Sequence, residues 1–149
     1  MHSVLHALPP PPFWILHVDG SAMPNPGHMA IGAVLTGPDG TRRELSESLP
    51  GVGCNNEAEL RALWAGLCLM AQSGGNEVRI YTDSQWLLEQ LAPCTKHKHL
   101  RPTLRLAACL DQVRERLATL AQVQWRWIPR RCNADADALA RHANLAVAA

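Results

Sequence analysis

Apolar positions along the chain follow two periods, one of two residues and one of about three and a half, and their alternation predicts an α/β order. Residues 14–19 form an apolar run that reads as a buried strand, ending in the turn-rich stretch 20–27, rich in Gly, Pro and Asn. Residues 29–36 are a second apolar strand. The tetrad Gly37-Pro38-Asp39-Gly40 turns the chain, and 41–48 return as a third, more polar strand. Short links between sequential strands imply an antiparallel meander. Leu60, Leu63, Leu67 and Met70 then mark a helix over 55–73, stopped by Gly74-Gly75. A strand over 77–82 follows, with a short helix from Ser84 to about Leu91. Pro102 opens a second amphipathic helix carrying Leu106, Leu110, Val113, Leu117 and Leu120. Val123, Trp125 and Trp127 alternate with polar residues in a last strand, and a helix runs from about residue 134 with Leu139, Ala140 and Ala143 on one side. The order β-β-β-α-β-α-α-β-α, with right-handed strand–helix–strand crossovers, predicts a mixed five-stranded sheet. Three of its strands are antiparallel and two parallel, with helices on both faces.

Composition changes this picture little. A chain of 149 residues suits one domain, taken as 13–149 behind a flexible proline-rich leader at 1–12. Five scattered cysteines without a C-x-x-C pair exclude a disulfide framework and a zinc site, and fit a reducing compartment. No stretch reads as a signal peptide or a membrane span, so the cytoplasm and no membrane partner are expected. The net charge is only +1, yet Lys96, Lys98, Arg101, Arg105, Arg114, Arg116, Arg126, Arg130 and Arg131 fall in one stretch opposed by Asp111 and Glu115. Such a distribution suits a polyanion.

Four acids occupy special places. Asp19 lies near the end of the first strand, Glu59 early in the first helix, Asp83 at the end of the fourth strand and Asp137 early in the last helix. The carboxyl ends of central strands and the helix starts beyond them converge on one crevice. Acids gathered there repel unless cations lie among them. Oxygen donors without His or Cys suit Mg²⁺ or Mn²⁺. Two ions roughly 4 Å apart hold a scissile phosphate, activate a water and stabilise the departing oxygen, with no protein nucleophile. Glu57 and Glu59 lie two apart on a helix, so only one of them faces the crevice.

From about Trp14 to Asn144 the sequence resembles type I ribonuclease H. The resemblance is carried by Asp19-Gly20-Ser21 with Asn25-Pro26-Gly27, Asn55-Asn56-Glu57-Ala58-Glu59-Leu60, Thr82-Asp83-Ser84-Gln85, and Asn133-Ala134-Asp135-Ala136-Asp137-Ala138-Leu139-Ala140. It implies a ribonuclease H-like fold and an endonuclease that cuts the RNA strand of RNA–DNA hybrids with two Mg²⁺ ions, Mn²⁺ substituting. It selects Glu59 over Glu57, leaving Glu57 as a solvent-facing first-turn acid, and Asp137 over Asp135. Asp19, Glu59, Asp83 and Asp137 become the implied metal ligands, and Asn25, Asn55, Asn56 and Gln85 the implied contacts to the hybrid's minor groove, where amides serve 2′-hydroxyls and base edges.

Three departures from the best-known bacterial members stand out. The loop before the last helix, Trp127-Ile128-Pro129-Arg130-Arg131-Cys132-Asn133, is short and has no histidine, which makes Arg130 or Arg131 the candidate cation for phosphate contact or product release. The basic handle is reduced to Lys96, Lys98, Arg101 and two histidines, His97 and His99. Cys54 stands where similar enzymes carry a threonine whose hydroxyl helps hold a DNA phosphate. Competing readings are a non-catalytic module binding hybrid or double-stranded RNA on the same fold, and another nuclease or strand-transfer enzyme of the superfamily. No obligate protein partner is evident and a monomer is the default. Trp125 and Trp127 share a strand face and read as core, Trp86 is open to base stacking, and His28 is expected to be exposed.

Overall fold

The computed structural model describes residues 11–93 and 104–148. Most of the leader, the Pro102 helix start, Lys96, Lys98, Arg101, His97 and His99 lie outside the described residues. Five strands form one sheet in the order β3-β2-β1-β4-β5. Strands β1 (Trp14–Met23), β2 (Gly27–Thr36) and β3 (Arg42–Gly53) are antiparallel neighbours. Strands β4 (Glu77–Thr82) and β5 (Gln122–Trp127) add in parallel beyond β1. Helix α1 (Asn55–Gln72) links β3 to β4, α2 (Gln85–Leu91) and α3 (Leu104–Ala118) lie between β4 and β5, and α4 (Ala134–Ala148) closes the described chain. The mixed five-stranded α/β architecture is the one expected, and every expected element is present.

The strand ends differ. β1 continues four residues past Asp19, to Met23, because its backbone stays on the β2 ladder through Ala22 and Met29 and then Met23 and His28. The turn shrinks to Pro24-Asn25-Pro26. β3 likewise extends to Gly53, carrying Pro50 on a sheet edge, where a missing N–H costs no ladder bond.

The core lies between the sheet and α1. Leu16 and Val18 of β1, Ile31, Ala33 and Leu35 of β2 and Ile80 of β4 meet Leu60, Leu63, Leu67 and Met70, all essentially inaccessible. Strand alternation sends the intervening residues of β1, including His17 and Asp19, to the opposite face. There α4 packs. Two glycines permit very close approach on the two faces. A Cβ on Gly20 would stand 2.3 Å from the backbone of Ala58 in α1, and a Cβ on Gly32 would stand 2.2 Å from the Ala136 carbonyl in α4. Gly20 follows Asp19 in the chain and Gly32 is its partner across the ladder. Bare backbone on both sides of Asp19 therefore lets two helices press against the sheet at that residue.

Candidate active site

Each acid is delivered by a local structure the sequence can be seen to make. Asp19 is held in the middle of the β1–β2 ladder and is buried. Glu59 sits one turn into α1, whose first turn is capped by Cys54, the Sγ accepting from the Glu57 N–H at 3.4 Å. The thiol thus performs the capping task of the side-chain oxygens usual at this position. Asp83 leaves the end of β4, where the Thr82 hydroxyl accepts from Ser84 N–H (3.0 Å) and the Ser84 hydroxyl accepts from Leu87 N–H (3.1 Å) to start α2. Asp137 lies in the first turn of α4, its N–H donating to the Asn133 carbonyl at 3.0 Å.

Carboxylate oxygens of Asp19, Glu59 and Asp83 lie within 4.8 Å of one another. They face a cavity of about 160 Å³ lined also by Gly20, Ser21, Asn55 and Arg130. Asp137, the fourth acid of the implied ligand set, stands outside this group of three. Arg141, one turn later on α4, donates to its Oδ2 through Nε at 3.0 Å and again through Nη2. Arg130 Nη2 lies 3.6 Å from its other oxygen.

The electrostatics divide along the same line. Burial, followed by the charges of Asp83 and Asp137, pushes the Asp19 carboxyl up to about 7. Burial and the charges of Asp19 and Asp83 raise Glu59 well above the carboxylate range. Burial is also the main cause that raises Asp83. Burial pulls Asp137 in the same direction, but the Arg141 and Asp19 hydrogen bonds and the nearby guanidiniums outweigh it, and its carboxyl is net lowered. A divalent cation would compensate the three raised acids. The donor set fits one: all oxygens, and Glu59 Oε2 is fully enclosed without a hydrogen-bond partner.

Of the four amides expected to meet substrate, two hold the fold together at the rim. Asn55 Oδ1 accepts from Ala22 N–H (2.8 Å), and the Asn55 N–H donates to Asn25 Oδ1 (3.0 Å), tying the β1–β2 turn to the start of α1. Asn55 also lines the cavity. Asn56 is half-buried in the first turn of α1, and Gln85 is exposed at the first residue of α2. Arg130 reaches the cavity, whereas Arg131 is exposed and does not line it.

Several expectations need correction. Glu57 does not face solvent: it is 3% exposed and accepts from Arg61 (Nε, 2.9 Å) and Arg105 (Nε, 2.7 Å). The turn of the helix does point it away from the crevice, but α3 covers that side. Arg61, four residues on, was the readable signal. Part of the basic stretch is consequently engaged within the fold, with Arg105 on Glu57, Arg114 on the Gln90 carbonyl (3.2 Å) and Arg116 over the Trp64 ring (5.2 Å). Trp127 is 48% exposed rather than core, its indole N–H donating to the Asp83 carbonyl at 3.2 Å. His28 is half-buried with Nε2 enclosed rather than exposed, while Trp86, the stacking candidate, is half-buried and packs against the core. Two contributors were not assigned a role from sequence. Asn133, buried, donates from Nδ2 to the Val18 carbonyl (2.8 Å), pinning the start of α4 beside Asp19. Arg141 is the other.

The chain matches the family model described as "Reverse transcriptase-like" over residues 17–143. A bifunctional protein of Mycobacterium tuberculosis is 33% identical over 134 residues, covering 87% of this chain, and the chain spans only 35% of that relative's length. The crystal structure of RNase H1 from Halobacterium salinarum superimposes with a TM-score of 0.76 at 32% identity, over 88% of this chain and 96% of that one. LC11-RNase H1, solved in complex with an RNA/DNA hybrid, superimposes with a TM-score of 0.73 at 31% identity, over 91% and 99% of the two chains.

Proposed function

This chain belongs to the type I ribonuclease H family, and from that premise we propose that it is an endonuclease hydrolysing the RNA strand of RNA–DNA hybrids to 3′-hydroxyl and 5′-phosphate ends. The observation that carries the reading is the meeting of Asp19, Glu59 and Asp83 within 4.8 Å at a small open cavity, with one enclosed Glu59 oxygen left unpartnered. On this reading Asp19, Glu59 and Asp83 hold one Mg²⁺, and Asp19 with Asp137 a second, Mn²⁺ substituting. When bound, such a pair of ions activates a water and stabilises the departing oxygen.

The chain's own residues supply the rest. Asp19, central to the ladder, is the acid common to both positions. Arg130, mostly exposed and lining the cavity, pairs loosely with Asp137 at 3.6 Å and is a cation within reach of a phosphate there. Asn25, Asn55, Asn56 and Gln85 lie on the turn and helix starts around the site, where amides can serve the 2′-hydroxyls that mark a strand as RNA. The relative solved with an RNA/DNA hybrid supports that substrate class. Residues 13–149 constitute the catalytic domain on this reading, with 1–12 outside it. Among the described residues, no helix is long and apolar enough to cross a membrane.

The test is cleavage of a labelled RNA–DNA hybrid in Mg²⁺ and in Mn²⁺, beside matched double-stranded RNA and DNA. Cutting of the hybrid's RNA strand alone, abolished by chelator and by Asp19→Asn, is the expected result. Binding without cutting in either metal overturns the nuclease reading in favour of a non-catalytic module.

A further inference from the structure

On the reading that the carboxylates take divalent cations, Arg141 stands in the way of one of them. Asp137 keeps different company from the other three acids. Both of its oxygens meet a guanidinium, Oδ2 receiving two N–H groups of Arg141 and Oδ1 lying 3.6 Å from Arg130. Asp19, Glu59 and Asp83 face one another instead. An oxygen whose lone pairs already accept two charge-assisted N–H groups is poorly placed to bind a cation until the guanidinium gives way. The two partners also differ in freedom. The Asp137 backbone is fixed in the first turn of α4 and its side chain is 10% exposed, whereas the Arg141 side chain is 68% exposed and can swing into water.

We propose that Arg141 is a positioning residue that competes with a divalent cation for Asp137. A first ion fills the Asp19–Glu59–Asp83 group. A second, between Asp19 and Asp137, is held only at higher concentration, because its arrival must displace the Arg141 guanidinium. Arg141 thereby sets the cation concentration at which the site is complete.

The experiment titrates Mn²⁺ by calorimetry into chelator-treated protein, for the parent, Arg141→Gln and Arg141→Lys, and follows the Mg²⁺ dependence of hybrid cleavage in parallel. Two binding events of unequal affinity are expected in the parent. In Arg141→Gln the weaker event should tighten by about two- to fivefold, the scale of one largely exposed ion pair, while the tighter event stays unchanged. Half-saturation of cleavage should move to lower Mg²⁺ by a similar factor, and Arg141→Lys should fall between. A loss of general structure would not tighten one event selectively. Superimposable isotherms, equal shifts of both events, a weaker second event or a single event in all three proteins overturns the proposal. A parent that binds no divalent ion and leaves the hybrid uncut refutes the nuclease reading itself.

Discussion

Asp19→Asn should make the metal-free protein more stable while removing its activity. Asparagine preserves the shape of the side chain and deletes the charge that burial and neighbouring acids disfavour. The Asp19 carboxyl is raised from 3.8 to about 7 in the fold. Between those values the folded state binds more protons than the unfolded chain, so stability falls as pH rises through that window. A shift of about three units corresponds to about 4 kcal/mol at most above pH 7, since each unit is worth about 1.4 kcal/mol. Around pH 5.5 roughly half of that penalty has developed. Urea melts in chelator across this range should therefore show the Asn variant ahead by about 2–4 kcal/mol near pH 8, the gap closing to under about 1 kcal/mol near pH 4.5. Thermal melts should show a gain of about 2–4 °C for each kcal/mol. Saturating Mg²⁺ should stabilise the parent more than the variant and reverse part of the difference. An Asn variant no more stable than the parent at pH 8, or a gap that does not change with pH, would refute the electrostatic account of the site.

The same protons bear on metal uptake: Mg²⁺ affinity of the stripped protein should climb as pH rises toward about 7, with proton release visible by calorimetry in buffers of different ionisation enthalpy. Gly20→Ala brings a Cβ to 2.3 Å from the Ala58 backbone and should cost about 3 kcal/mol or more in urea melts, with cleavage reduced as α1 and Glu59 move off β1. At Glu57 the cost should be asymmetric. Replacing Arg61 and Arg105 together by Met strands a buried carboxylate and should cost about 3 kcal/mol, whereas Glu57→Gln, which leaves only exposed arginines unpaired, should cost about 1 kcal/mol in the same melts.

Much of the fold was legible because its signals are local. Alternation marked β5, helical spacing marked α1 and α3, and the Thr82-Asp83-Ser84 run contains its own strand end and helix cap. The strand ends were not legible. Residues 20–23 have the composition of a turn, and only the β2 backbone opposite keeps them extended. Trp127 illustrates the same limit: alternation assigned it the face of Trp125, yet β5 is an edge strand, and the end of that edge is left partly open to water.

At the site, residue types and spacings along the chain pointed to Asp19, to Asp83 and to an early acid on each of two helices, and the resemblance to type I ribonuclease H chose Glu59 over Glu57 and Asp137 over Asp135. What those acids do to one another belongs to the tertiary structure. That three close to within 4.8 Å while the fourth is engaged by Arg141 and Arg130 depends on how nearly α1 and α4 approach β1, and so on the missing side chains of Gly20 and Gly32 on opposite faces of the sheet. Glu57 shows the same division, its direction on α1 readable from helical geometry and its burial decided by the packing of α3. Dihedral preference and periodicity act between near neighbours in the chain. Charge, burial and proton affinity act through space, between groups that only the packed fold brings together.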